Sequence, residues 1–264
     1  MIFANFAVMA KKGAKQNRRR KEQNRVDRFI RWVVVSGVVG LVVIGCAIYY
    51  LLRHHPNVVV DRMEYPVVGI DISKHNGIVD FQQLAADSLS FVFIKATEGN
   101  EYVDPTFERN YALAKQAGLK VGAYHYFRMA KNGTVQAYNF LKAVKGREID
   151  LPLVIDVEEW GNDLFVDRDE AVKRLMKMVE CIEENNYKVM IYTNKDGYKK
   201  FICQNLDDKL LWLCTFRQPA KVVDYNWTIL QYSHWGEVAG INGEVDLDVF
   251  NGDRRAWERW LQSL

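Results

Sequence analysis

Leu153-Val154-Ile155-Asp156-Val157-Glu158 is a short, apolar, β-branched run that ends in charge. After a polar stretch, Asp169–Asn185 places Val172, Leu175, Met176, Val179 and Ile182 at spacings of three and four, the period of an amphipathic helix. A second apolar run, Lys188–Thr193, follows at once. Strand, helix and strand in close succession form the unit from which parallel sheets are built.

Similar runs recur on both sides of this unit, at Val67–Ser73, Phe91–Thr97, Lys120–Phe127, Leu210–Phe216, Thr228–Ser233 and Val245–Phe250, making eight in all. Helical spacing separates the earlier ones, over Asp80–Asp87, Pro105–Ala117, Thr134–Val144 and Asp196–Gln204. Asp104 before Pro105 reads as an N-cap with proline in the first helical position, and Gly118 stands where a C′ glycine belongs. No long helix separates the last three strands. The pattern predicts an α/β fold: an irregular eight-stranded β/α (TIM-like) barrel with helices missing among its last strands. An open doubly wound sheet is the alternative. Asp71-Ile72-Ser73-Lys74-His75-Asn76-Gly77 weighs against it, being polar where such a sheet carries a Gly-rich phosphate loop.

The overall charge of +3 hides an asymmetry, because residues 1–31 hold ten Lys and Arg against Glu22 and Asp27, a local +8 that leaves −5 for the rest. A basic tail on a mildly acidic body does not suggest nucleic-acid binding. Trp32–Leu52 is a run of 21 uncharged, mostly apolar residues with Trp32, Tyr49 and Tyr50 near its ends. As a helix it would be about 30 Å long, the thickness of a bilayer's hydrocarbon core. The expected organisation is a basic cytoplasmic tail (1–31), a transmembrane signal anchor (32–52), a linker (53–64) and an extracytoplasmic domain (65–264). Val43-Ile44-Gly45-Cys46 resembles a lipobox, which would make Cys46 a lipidated N-terminus, but the apolar run continues to Leu52. Cys181, Cys203 and Cys214 lack CxxC spacing and read as buried thiols, with at most one disulfide among them.

Functional groups of such barrels gather at the C-terminal strand ends. Here those ends carry Asp71, Lys95 with Glu98, Tyr124-His125-Tyr126, Asp156 with Glu158, Tyr192, and Gln231-Tyr232, while the last strand holds Asp246 and Asp248. Burying charge is costly unless it is paired, so this many polar ends call for a functional reason. Asp156 and Glu158 stand at i and i+2 on one face, with Cα atoms about 6.5–7 Å apart. Carboxylates so close repel, and one pKa is expected to rise and the other to fall. That division suits glycoside hydrolysis, which needs a proton donor and an anion. The bland alternative is that one of them pairs with Lys95. Asp71, Asp156, Glu158 and Asp246 could also hold Mg²⁺ or Ca²⁺, as in a metal-dependent phosphodiesterase. His54 and His55 fall in the linker, and His75, His125 and His234 show no zinc spacing. A lone strand histidine such as His125 is more often structural or a substrate hydrogen-bonder than a metal ligand. No G-x-S-x-G elbow is present. No metal or cofactor is expected. Tyr126, Tyr192, Trp212 and Tyr232 offer faces on which pyranose rings could stack.

Five motifs come in order: Val68-Gly69-Ile70-Asp71-Ile72-Ser73, Phe93-Ile94-Lys95-Ala96-Thr97-Glu98-Gly99, Gly122-Ala123-Tyr124-His125-Tyr126-Phe127, Leu153–Glu158, and Gly243-Glu244-Val245-Asp246-Leu247-Asp248. Together they resemble glycoside hydrolase family 25, the N-acetylmuramidase or lysozyme family, over about residues 66–252. The resemblance implies an irregular eight-stranded barrel. It also implies cleavage of the β-1,4 bond between N-acetylmuramic acid and N-acetylglucosamine in peptidoglycan glycan strands. Glu158 would be the general acid/base, and Asp156 would orient the substrate N-acetyl group as an internal nucleophile, with retention of configuration. Asp71 and Asp246 would complete an acidic floor. Lys95, Glu98, Tyr126, Tyr192, Trp212 and Gln231 would bind substrate. Asp248 stands where the family more often has Asn and is assigned no role. A monomer is expected. A non-catalytic wall-binding barrel is the competing class; the complete set of four carboxylates argues against it.

Overall fold

The computed structural model describes residues 2–53, 58–163 and 165–264. The chain divides into two compact units, Met1–Pro56 and Asn57–Leu264. The first is one helix, α1 (Ile2–Arg53), so the basic tail and the apolar segment are continuous. Within it Arg28–Tyr50 is long and apolar enough to cross a membrane, with mean hydropathy 2.4 and no buried part. Of the linker expected over 53–64, residues 54–57, including His54 and His55, lie outside the described residues. Val60 is already buried in the core of the second unit, so that unit begins before position 65.

The second unit is a closed barrel. Its strands are β1 (Val68–Ile72), β2 (Phe91–Glu98), β3 (Tyr102–Val103), β4 (Lys120–Tyr126), β5 (Leu153–Asp156), β6 (Val189–Asn194), β7 (Leu210–Cys214), β8 (Ile229–Gly236) and β9 (Val245–Phe250). Eight of them pair in the cyclic order β1-β2-β4-β5-β6-β7-β8-β9 and close through β9 and β1, while β3 adds a short antiparallel edge to β2. These eight are the strands expected from sequence. From β1 to β8 the barrel pairing is parallel, and β9 is antiparallel to both neighbours. No helix carries the chain across the barrel between β8 and β9, so β9 runs backwards. Its first residues therefore lie at the mouth where the other strands end, with Asp246 directly opposite Asp71.

The helices are α2 (Phe81–Ala86), α3 (Phe107–Gln116), α4 (Gly133–Val144), α5 (Arg168–Glu184), α6 (Lys195–Gly197, continuing as a π-turn through Ile202) and α7 (Arg254–Gln262). Two local expectations differ. Asp104 does not cap α3, which starts at Phe107 behind Thr106; its carboxylate instead holds Thr106 and the backbone N–H of Lys74, tying the β1 end to the β3 loop. Met176 is 45% exposed, and Met178 takes its place in the core. Gly118 does end α3 with φ +81°, a conformation costly for residues with a Cβ.

Two apolar layers hold the barrel. The outer one lies between strands and helices, where α5 contributes Val172, Leu175, Met178, Val179 and Ile182. The inner one fills the barrel with Phe91, Phe93, Val154, Met190, Trp212 and Ile229, and Trp257 of α7 joins it. Phe93 stacks on Trp212 at 4.4 Å and Phe91 on Trp257 at 5.3 Å. Each such side chain contributes about 1.5–3 kcal/mol by leaving water. Because this plug fills the inside of the barrel, the polar groups are left at the mouth.

Candidate active site

A cavity of about 750 Å³ opens at the mouth. All ten expected residues line it: Asp71, Lys95, Glu98, Tyr126, Asp156, Glu158, Tyr192, Trp212, Gln231 and Asp246. Tyr232 does not; it is buried on the outer layer, because it alternates with inward Gln231. Trp212 is only 2% exposed, stacked on Phe93 and donating Nε1–H to Asp248, so it forms floor rather than a free stacking face. His125 faces away, bonded to Thr97 and Gln136, and burial brings its pKa down to about 4.

β5 ends at Asp156, and Glu158 lies just beyond it. The turn that carries Glu158 is held from β4. Asn162 donates Nδ2–H to the carbonyls of Phe127 (3.0 Å) and Glu158 (2.8 Å) and accepts from the Met129 backbone (2.9 Å). The Tyr126 hydroxyl bonds the Trp160 carbonyl, and Arg128 bonds that of Gly161. Trp160 is 82% exposed and borders the cavity, offering a ring for stacking.

Lys95 does not pair with Asp156. Its Nζ bonds Glu98 Oε2 at 2.7 Å, and Arg128 holds the other Glu98 oxygen. Burial raises the Glu98 pKa, but these two cations outweigh it and the net shift is downward. With both cations taken by Glu98, the acidic floor keeps little compensation. The Asp156 carboxyl is pushed well above the usual carboxylate range by burial and then by Glu158; Lys95 offsets only part. Glu158 is raised as well, by burial first, with His234 lowering and Asp246 raising it. The expected split, one pKa up and one down, is therefore not what the site contains. Desolvation dominates both groups and moves them the same way. Asp156 Oδ1 is buried and accepts no hydrogen bond. Asp71 accepts from Gln231 Nε2 at 2.7 Å, and Gln231 in turn accepts from the Tyr192 hydroxyl at 2.7 Å.

His234, Arg128, Trp160, Ser73 and His75 also line the cavity, and sequence reasoning gave them no part in it. The signal for His234 was hidden. Strict alternation from inward Gln231 would turn His234 outward, but β8 bulges between Gln231 and Ser233 and re-aims it. His234 Nδ1 lies 2.6 Å from Asp246 Oδ1. A bulge between Lys95 and Thr97 brings Glu98 to the same side as Lys95 in the same way.

A β/α barrel whose mouth cavity holds a carboxylate pair and an exposed aromatic ring has the groups that glycoside hydrolysis needs. The model of the glycosyl hydrolases family 25 matches residues 70–241, and the chain belongs to that family. YegX of Escherichia coli K12 is 38% identical over 71% of this chain and 71% of its own length. The autolytic lysozyme of Clostridium acetobutylicum is 35% identical over 69% of this chain and 55% of the lysozyme. A family 25 glycosyl hydrolase structure from Bacillus anthracis superposes with a TM-score of 0.72 at 32% identity, over 78% of this chain and 98% of that one.

Proposed function

We propose that this glycosidase is an N-acetylmuramidase that cleaves the β-1,4 bond between N-acetylmuramic acid and N-acetylglucosamine in peptidoglycan. One observation carries the reading: Asp156 Oδ1 is buried, unpartnered and beside Glu158 on the cavity floor. A buried acceptor without a donor is costly, and the N–H of a substrate acetamido group supplies that donor. With the acetamido N–H holding the charge on Asp156, Glu158 enters the reaction protonated and gives its proton to the leaving oxygen as the glycosidic bond breaks. The acetamido oxygen forms the new bond to C1, giving an oxazolinium ion whose positive charge Asp156 balances. Water then adds at C1, Glu158 takes its proton, and the acetamido group is released. Such substrate assistance is a recognised exception to the scheme with two enzyme carboxylates. It suits Asp156 and Glu158, which approach from one strand end rather than from opposite sides of a ring. The lysozyme relative supports the substrate class.

Arg28–Tyr50 anchors the enzyme in the cytoplasmic membrane, with the ten Lys and Arg before and within it on the cytoplasmic side and the barrel outside. Digestion of purified peptidoglycan followed by mass spectrometry tests the activity. Fragments with reducing-end muramic acid are expected. Reducing-end glucosamine, or no release, would overturn the assignment. Protease added to intact spheroplasts should remove the barrel and leave the basic tail.

A further inference from the structure

Along β2, Phe91, Phe93 and Lys95 face the inside of the barrel, while Val92, Ile94 and Ala96 face the outer layer. Strict alternation would send Thr97 inward and Glu98 outward. The chain does the opposite. Pairing with β4 slips by one residue after Lys95, so Thr97 stands opposite His125 and Glu98 opposite Tyr126. Thr97 is fully buried, and Glu98 lines the cavity. A bulge interrupts the ladder, so its position has to be specified by side chains.

His125, fully buried against Phe140 of α4, supplies that specification. Its Nδ1 lies 2.7 Å from Thr97 Oγ1 and its Nε2 lies 3.2 Å from Gln136 Oε1. Donors and acceptors follow from the surrounding backbone. Gln136 Oε1 accepts from the Arg128 backbone N–H at 2.8 Å, and Gln136 Nε2 donates to the carbonyls of Arg128 and Lys131. The amide oxygen therefore faces the imidazole, and Nε2 carries the imidazole proton. Nδ1 is left as the acceptor, with the Thr97 hydroxyl as its donor. Burial, with Lys95 adding to it and the Gln136 bond opposing it, brings the imidazole pKa down to about 4, so the ring stays neutral in this tautomer.

Both arms of the network end on one side chain. Thr97 immediately precedes Glu98. Arg128, gripped by Gln136 through its N–H and its carbonyl, donates Nε to Glu98 Oε1 at 3.0 Å, and Lys95 holds Oε2 at 2.7 Å. We propose that His125 is a positioning residue for Glu98: through Thr97 it fixes the bulge that turns Glu98 into the cavity, and through Gln136 it fixes the arginine that Glu98 meets there. Without the ring nitrogens the Thr97 hydroxyl has no acceptor in a dry layer. The strand then gains by taking the unbulged register, which turns Thr97 toward the water of the cavity and Glu98 away from it.

The use of Glu98 in binding substrate rests on the muramidase reading; its position does not. His125→Phe keeps an aromatic ring beside Phe140 and removes both hydrogen bonds. It is made in the full-length detergent-solubilised enzyme, alone and together with Glu98→Gln, and peptidoglycan hydrolysis is measured. H125F should raise KM by about tenfold, with kcat changed less. In the E98Q background the same substitution should change KM by less than about twofold, because the group it positions is already gone. Carboxyl NMR of Glu-labelled protein, with E98Q assigning the signal, reads the position directly. In wild type the two cations hold the Glu98 pKa below its usual value, and in H125F it should move back up toward that value. An H125F enzyme with wild-type KM and wild-type Glu98 titration would overturn the proposal. An equal rise in KM in both backgrounds would also overturn it, since His125 would then support only the fold. Should H125F not fold, Gln136→Met, which releases Arg128, carries both measurements with the same outcomes. If wild type releases no sugar, the muramidase reading fails, while the Glu98 titration still decides the role of His125.

Discussion

His234 Nδ1 stands 2.6 Å from Asp246 Oδ1, and the pair borders the cavity that holds Glu158. Phe216 packs edge-on against the imidazole at 4.6 Å, and the Cys214 thiol is 3.8 Å from Nε2. Burial raises the Cys214 pKa to about 12, so it walls the ring as a neutral thiol rather than a nucleophile. The imidazole is thus fixed beside the proposed acid.

His234 lowers the Glu158 pKa, against burial and Asp246, which raise it. Its removal should raise that pKa further. In His234→Phe, the alkaline limb of the kcat/KM profile on peptidoglycan is expected to move to higher pH, because Glu158 keeps its proton longer. An unchanged or lowered alkaline limb would contradict this placement of charge.

Glu158→Gln removes the proposed proton donor. General acid–base groups contribute about 10²–10⁴-fold, so kcat should fall by that order. Stability should not fall with it. The folded pKa of Glu158 is raised, so its ionisation costs stability as pH rises above the unfolded value. The Gln variant should melt at or above the wild-type temperature at pH 7, which separates a chemical role from a structural one in a single thermal scan.

Asp156→Asn should abolish the acetamido-assisted step. Proton NMR during early hydrolysis by wild type should detect the β-anomer of the new reducing end first, the signature of retention. A glycan strand lacking the N-acetyl group at the cleaved residue should resist cleavage. Initial release of the α-anomer would exclude internal assistance.

Asn162 holds the Glu158 turn by three hydrogen bonds. Asn162→Ala leaves two carbonyls and one N–H without this partner, at a cost of about 1–3 kcal/mol. For a domain of this size a loss of 1 kcal/mol lowers Tm by about 2–4 °C. A drop of that order is expected, with kcat reduced more than KM is raised, as measured by calorimetry and steady-state hydrolysis.

Much of this was legible in one dimension. Eight short apolar runs alternating with helical spacing predicted the barrel strand by strand, because a strand buried on both faces must be apolar throughout. The polar residues that interrupted those runs marked the mouth for the same reason: charge in such a strand is tolerated only where it has work or a partner. Asp71, Asp156 and Gln231 were found in this way. β3 and α7 were missed, the first for its length of two residues and the second for lying beyond the last strand.

Sequence alone, then, determined the eight strands of the barrel, the apolar segment of α1 and the carboxylates at the mouth, since these follow from the hydrophobicity of each residue and its neighbours along the chain. Tertiary structure decided how those groups are charged and which way they face. Bulges in β2 and β8 turned Glu98 and His234 into the cavity, and no local pattern announces a bulge. The reversed β9 set Asp246 opposite Asp71 and placed Asp248 beside it. Lys95 chose Glu98 over Asp156. Desolvation, which depends on everything packed around a group and not on its place in the chain, then raised Asp156 and Glu158 together.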